Sequence, residues 1–271
     1  MVKLYNGDCL EIMKEIPNKS VDMILCDLPY GTTACKWDIV IPFELLWEQY
    51  ERVIKENGAI VLFGSEPFTS LLIASNLKMF RYDIVWDKVN CSSGVLAKKR
   101  PLKSHENICV FYKSQPTYNP QMSVGTKWHR GGKKERKLAG IFGQDGKLVE
   151  RKGGSDTTDL KYPKSILTVS NADNTKRVHP TQKPIKLLEW LIKTYTNEND
   201  IVLDNCMGSG STGVACINTN RNFIGIELDK GYFGISEKRV NGAQQITDKS
   251  DKVESIMNST VEKTKSQLDL W

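Results

Sequence analysis

Apolar and polar positions along the chain switch between short solid runs and longer periodic stretches. Residues 21–26, 59–63, 82–86, 108–112, 201–204 and 222–227 are brief, rich in β-branched and apolar side chains, and bounded by turn formers. Each predicts a buried strand. Between them, residues 42–57, 67–78, 210–220 and 230–242 read as helices, the first of them stopping before Gly58. Leu187, Leu188, Leu191 and Ile192 also fall at helical spacing. Strands alternating with helices predict an α/β fold, with a mostly parallel sheet covered by helices on both faces.

The rhythm breaks from 114 to 177, where Gly, Lys, Ser, Thr and Asp dominate and the apolar runs shrink to Ile141-Phe142 and Ile166-Leu167. It resumes after Pro180. The expected organisation is therefore one domain built from 1–113 and 178–245, a basic loop-rich insertion over 114–177, and a polar tail over 246–271.

Composition narrows the class. A chain of 271 residues can bury a sizeable core, and 39% hydrophobic with 26% charged residues is ordinary for a soluble protein. No apolar run approaches bilayer length, and the polar start is unlike a signal peptide, so no membrane and a cytoplasmic location are expected. Seven cysteines, an odd number without a Cys-x-x-Cys pair, point away from zinc and disulfides and toward reduced, buried thiols. No metal is expected. The net charge of +6 concentrates at Lys98, Lys99 and Arg100 and again at Lys127, Arg130, Lys133, Lys134, Arg136 and Lys137. Such patches attract a phosphate backbone, although either one alone reads equally well as a solvated loop.

Three constellations carry chemistry. The first is Gly208-Ser209-Gly210-Ser211-Thr212-Gly213, a G-x-G-x-x-G run between a predicted strand and a predicted helix. Glu227 follows at the end of the next strand, where a carboxylate can accept both hydroxyls of a ribose. An adenosine-containing cofactor is expected here. NAD fits poorly, because a second mononucleotide-binding half is expected after this unit and only about 45 polar residues follow Glu227. Asp204, at the strand's mouth, would repel a pyrophosphate but suits an amino group or a sulfonium.

The second is His179-Pro180-Thr181-Gln182-Lys183-Pro184. Thr181 fits a helix N-cap and Pro184 its first turn. Lys183 opposes the helix dipole, which makes sense beside a bound anion such as a methionine carboxylate. A solvated lysine at a helix start is an equally good account of that residue alone. The third is Asp27-Leu28-Pro29-Tyr30, directly after the first strand. Ligands of open α/β sheets bind at the carboxyl ends of strands. Asp27 and the Leu28 carbonyl could accept the two N–H groups of an exocyclic amine, Pro29 would stiffen the turn, and Tyr30 would offer an aromatic face. Taken alone the tetrapeptide is also an ordinary turn.

Together these segments resemble the amino-methyltransferases of DNA. Asp27-Leu28-Pro29-Tyr30 resembles their Asp-Pro-Pro-Tyr catalytic motif, and Asp204-Asn205-Cys206-Met207-Gly208-Ser209-Gly210 their Asp-Pro-Phe-x-Gly-Ser-Gly cofactor motif. His179 to Pro184 with Leu187-Leu188 looks like the helix completing their cofactor pocket. Asn6-Gly7-Asp8 looks like the N-terminal motif at the cofactor's adenine end. The motif order is that of the β group, over roughly 4–112 and 179–240. Leu28 stands where the first proline is usual, and Asn205-Cys206 where Pro-Phe is usual.

The resemblance implies a Rossmann-like seven-stranded methyltransferase sheet, S-adenosylmethionine as cofactor, double-stranded DNA as partner, and base flipping. The leading aspartate resembles the adenine-N6 enzymes more than the cytosine-N4 ones. The catalytic residues implied are Asp27, Leu28, Pro29 and Tyr30. The cofactor residues are Asp8, Cys9, Asp27, Lys183, Asp204, Gly208, Gly210, Ser211, Thr212, Glu227 and Leu228. The insertion becomes the target-recognition region, its cations on phosphates and a few polar residues on base edges. A cytosine-N4 or RNA methyltransferase, or a silent nucleic-acid-binding relative, stays open, as do a homodimer and a separate restriction endonuclease as further partners.

Overall fold

A computed structural model describes residues 1–32, 38–92, 94–125, 141–142, 148–149, 160–171 and 182–247. In chain order the elements are β1 (Val2–Asn6), α1 (Cys9–Met13), β2 (Val21–Cys26), α2 (Phe43–Val53), β3 (Ile54–Gly64), α3 (Phe68–Ser75), β4 (Phe80–Ser92) and β5 (Lys103–Phe111). The short strands β6 (Ser123–Val124), β7 (Ile141–Phe142), β8 (Leu148–Val149) and β9 (Leu160–Lys161) come next. Then follow β10 (Ile166–Thr168), α4 (Ile185–Tyr195), β11 (Ile201–Asp204), α5 (Ser211–Asn218) and β12 (Asn222–Glu227), with a helix α6 over 230–247. Two compact units result: Met1–Asn119 joined with the chain from Lys164, and Pro120–Pro163. The second unit holds two antiparallel pairs, β6 with β9 and β7 with β8.

The first unit is built on one sheet in the order β1-β12-β11-β2-β3-β5-β4-β10. Only the pairings of β5 with β3 and with β4 are antiparallel. Alternate residues of a strand face opposite sides of a sheet, and β2 shows the result. Ile24 and Cys26 join a core with α1, α2 and α3, while Met23 and Leu25 join one with α4 and α5. Because both faces are covered, these strands read as solid apolar runs, and β2, β11 and β12 have the bounds their patterns predict.

Three expectations change. Among the described residues the sheet has eight strands, not seven. The eighth is β10, which pairs in parallel with β4, covers its otherwise open edge, and comes from a stretch expected inside the insertion. The helix expected over 42–57 stops at Val53, because Ile54 pairs with Val21 and the chain enters β3 at once. Gly58 therefore ends no helix. It sits where a Cβ would lie 2.8 Å from the Asp22 carbonyl oxygen. Finally, α4 opens at Ile185 with Pro184 at its N-cap, so Pro184 is one position ahead of the expected first turn. Thr181 lies outside the described residues, as do His179 and the tail from 248.

Among the described residues no helix is long and apolar enough to cross a membrane, and no group of His, Cys, Asp and Glu is set to hold a metal. Cys9, Cys26, Cys109 and Cys216 are buried free thiols, and Cys91 is exposed.

Candidate active site

The carboxyl ends of β1, β2, β11 and β12 open into one cavity of about 650 Å³. Asp8, Cys9, Asp27, Leu28, Pro29, Tyr30, Lys183, Asp204, Gly208, Ser211, Thr212, Glu227 and Leu228 all line it, so residues up to 220 positions apart share one wall.

Gly210 does not. Its φ of +77° suits a glycine, but an added Cβ would lie 2.9 Å from Ser236 on α6. At Gly210 the turn packs closely against that helix. Gly208, also left-handed at φ +52°, would present its Cβ to open space, which is where a ligand can approach the backbone.

The turn after β11 is fixed by carboxylates that bind backbone. Glu227, at the end of β12, accepts the Gly208 N–H and the Asp229 N–H, one on each oxygen, both at 2.8 Å. Burial raises its pKa. Asp204 accepts the Cys206 N–H at 3.1 Å and is 3% exposed. Burial pushes it up to about 7, against the opposing help of a Thr212 hydrogen bond. Asn6 donates to the carbonyls of Glu227 and Leu228, and Asp8 caps α1 by accepting the Leu10 N–H. That clamp sets the N-terminal Asn6-Gly7-Asp8 segment beside the mouth of β12. Asn205, where the family motif has proline, is buried and accepts the Tyr50 hydroxyl at 2.5 Å. Arg239 of α6 donates to both the carbonyl and the hydroxyl of Ser209.

The turn after β2 is held by charge. Asp27 accepts the Tyr30 hydroxyl at 2.6 Å on one oxygen and the Lys183 ammonium at 2.5 Å on the other. Tyr30 stacks on Phe68 with ring centroids 4.8 Å apart. Asp38 accepts the N–H groups of Gly31 and Thr32, which pins the chain leaving the motif. Lys183 was expected to face a cofactor carboxylate. Its anions in this structure are Asp27 and, at 3.4 Å, Glu106. Glu106 in turn accepts from Lys88 at 2.5 Å. Burial would lower the Lys183 pKa, but the two carboxylates outweigh it and keep the ammonium above its ordinary value. For Glu106 burial works upward, and Lys183 and Lys88 together hold the carboxyl below its ordinary range.

Lys88 and Glu106 carried no sequence signal. Each is one of several charges in its strand and belongs to no motif, and they meet because β4 and β5 pair antiparallel, with Trp86 opposite Glu106. The basic residues Lys98, Lys99 and Arg100 are exposed between β4 and β5 and are not on the cavity wall. Lys127, Arg130, Lys133, Lys134, Arg136 and Lys137 lie outside the described residues.

A family model described as DNA methylase matches residues 21–238. The chain is 31% identical over 268 residues to the DNA adenine methyltransferase YhdJ of Escherichia coli (strain K12), covering 89% of this chain and 83% of that protein. Among solved structures it is similar to the M1.HpyAVI–SAM complex, at 30% identity and a TM-score of 0.57, over 88% of this chain and 100% of that one. The PvuII DNA methyltransferase, described as cytosine-N4-specific, has a TM-score of 0.61 over 91% of this chain and 92% of that one. At 16% identity it shares the fold alone.

Proposed function

The chain belongs to the DNA methylase family, and we propose that it transfers a methyl group from S-adenosylmethionine to the N6 amine of adenine in double-stranded DNA. One observation carries the proposal: the Asp27–Tyr30 turn, the turn at Gly208 and the end of β12 at Glu227, 200 positions after Asp27, face the same cavity. Adenine rather than cytosine follows the adenine methyltransferase at 31% identity. The cytoplasm, where DNA is reached without crossing a membrane, fits this activity.

The residues present fit the cofactor. The backbone at Gly208 is open to the cavity, a buried carboxylate stands at the end of β12, and an acid lies under the turn. S-adenosylmethionine, when bound, supplies an electrophilic methyl on a sulfonium. Glu227, its oxygens already oriented by two backbone N–H groups, keeps lone pairs for ribose hydroxyls. Asp204 and the turn around it serve the cationic end, and Asp8, Cys9 and Leu228 enclose the side nearest β1. Asp27 accepts one hydrogen of the target amine and the Leu28 carbonyl the other. Both contacts draw the nitrogen lone pair out of the ring and stabilise the positive charge it gains as the new N–C bond replaces the C–S bond; a neutral thioether leaves, and the nitrogen then gives up one proton to solvent. Positioning and electrostatics do the work, without a covalent enzyme intermediate. The target base has to leave the helix to reach Asp27. The face of Tyr30 not stacked on Phe68 is the one offered to it. Lys98, Lys99 and Arg100, exposed between β4 and β5, are the cations proposed to contact phosphates.

Transfer of tritiated methyl from the cofactor into duplex DNA of varied sequence tests this. The wild-type chain is expected to label DNA, and Asp27→Ala to lose the activity. Full labelling by Asp27→Ala would remove the catalytic assignment.

A further inference from the structure

Lys183 poses an electrostatic problem for the proposed reaction. The ammonium sits 2.5 Å from one oxygen of Asp27, the group that must stabilise positive charge on the target amine. A cation so close works against that charge, the more so because Lys183 is buried and water screens the pair little. Two ammonium groups, Lys88 and Lys183, face two carboxylates, Asp27 and Glu106, and the four charges balance.

The arrangement holds a second place for the Lys183 ammonium. Lys88 takes one oxygen of Glu106, at 2.5 Å. The other oxygen, Oε2, is buried, accepts no hydrogen bond from the described residues, and lies 3.4 Å from Lys183 Nζ. A shift of well under 1 Å would turn that contact into a charge-assisted hydrogen bond, which forms at about 2.7–2.9 Å. Lysine has a flexible four-carbon stem and a compact charge, so such a shift needs no backbone movement.

We propose that Glu106 is a positioning residue which draws Lys183 away from Asp27, freeing the Asp27 carboxylate for the target amine. Lys88 holds Glu106 so that its open oxygen faces Lys183. This rests on the methyl-transfer function proposed above. It adds two residues, Lys88 and Glu106, that no local motif marks.

The test is a double-mutant cycle on the full chain, read as kcat and as KM for S-adenosylmethionine. Glu106→Gln keeps the shape and removes the charge. It is expected to lower kcat by about 10-fold or more, about 1.4 kcal/mol of barrier, with the cofactor KM little changed. Because buried Lys88 loses its partner, the melting temperature falls as well, and kcat is read at a temperature where the variant is folded. Glu106→Asp, which keeps a carboxylate, is expected to recover part of the loss. In a Lys183→Met background the same Glu106→Gln change is expected to cost less than about threefold, because the two residues act as a unit. An equal cost in both backgrounds, or a loss confined to KM, would overturn the proposal.

A crystal structure of the full chain with a cofactor analogue and target DNA reads the geometry without any variant. Lys183 Nζ is expected within about 3.0 Å of Glu106 Oε2 and beyond hydrogen-bond reach of Asp27. The reverse geometry would overturn the proposal too. Absence of methyl transfer by the wild-type chain would instead remove the functional reading, and that failure appears before any variant is made.

Discussion

Asp27 and Asp204 stand at the carboxyl ends of neighbouring parallel strands, β2 and β11, and line the same cavity. Their electrostatics differ. Asp204 is 3% exposed, is hydrogen-bonded by uncharged groups, and is pushed by burial to about 7. Asp27 has the Lys183 ammonium at 2.5 Å and the Tyr30 hydroxyl at 2.6 Å. The same side chain thus becomes a proton-holding group on one side of the cavity and a charge-paired one on the other. What differs is the neighbour: a backbone turn after β11, and a lysine from the start of α4 beside β2. The two sides suit the two tasks a methyl transfer sets, holding a cofactor and activating an amine.

The largest effect that can break this comparison is on catalysis. Asp27→Asn is expected to lower kcat by roughly 10²–10³-fold, the usual cost of losing one electrostatic stabiliser of a transition state, while cofactor affinity measured by calorimetry changes far less. Asp204→Asn should show the opposite split, with affinity falling more than kcat. Equal effects from both substitutions would erase the distinction.

The next effect is on pH dependence. The Asp204 pKa rises from an ordinary 3.8 to about 7, so between those values the native state binds more protons than the unfolded one. Stability therefore falls as pH rises from about 4 to 7, and Asp204→Asn flattens that slope in denaturant titrations. Affinity for a cationic cofactor moves the other way. It is expected to climb as pH passes through about 7, by no more than about tenfold per pH unit for one proton. A flat affinity profile across that range would mean that Asp204 does not face the cationic end.

The smallest effect on catalysis is expected from Tyr50→Phe. It leaves the buried Asn205 side chain without its hydroxyl donor, which costs about 1–3 kcal/mol when a buried polar group is orphaned. Urea unfolding should register that loss with kcat nearly intact. A stability change near zero would mean that the Tyr50–Asn205 pair does not hold the β11 turn.

Much of this was legible in the sequence, for physical reasons that vary along the chain. Strands buried on both faces write themselves as solid apolar runs, and β2, β11 and β12 begin and end where those runs do. The polar start of β3, at Lys55-Glu56-Asn57, hid its first residues, and α2 was read four residues too long. The turn glycines and Glu227 were visible because spacing alone marks them. Gly210 has a second reason to be glycine that spacing does not show, the close approach of Ser236 on α6. Lys88 and Glu106 were invisible because antiparallel register, not local spacing, brings them together. The sequence leaves Lys183 open between a ligand's carboxylate and solvent, and the structure sets two carboxylates of the protein itself beside it.

The base that carries the methyl group decides the central claim. Duplex DNA treated with the wild-type chain and S-adenosylmethionine, digested to nucleosides and resolved by mass spectrometry, is expected to contain N6-methyladenine that is absent when Asp27→Ala replaces the wild type. N4-methylcytosine in its place, or no methylated nucleoside at all, would contradict it.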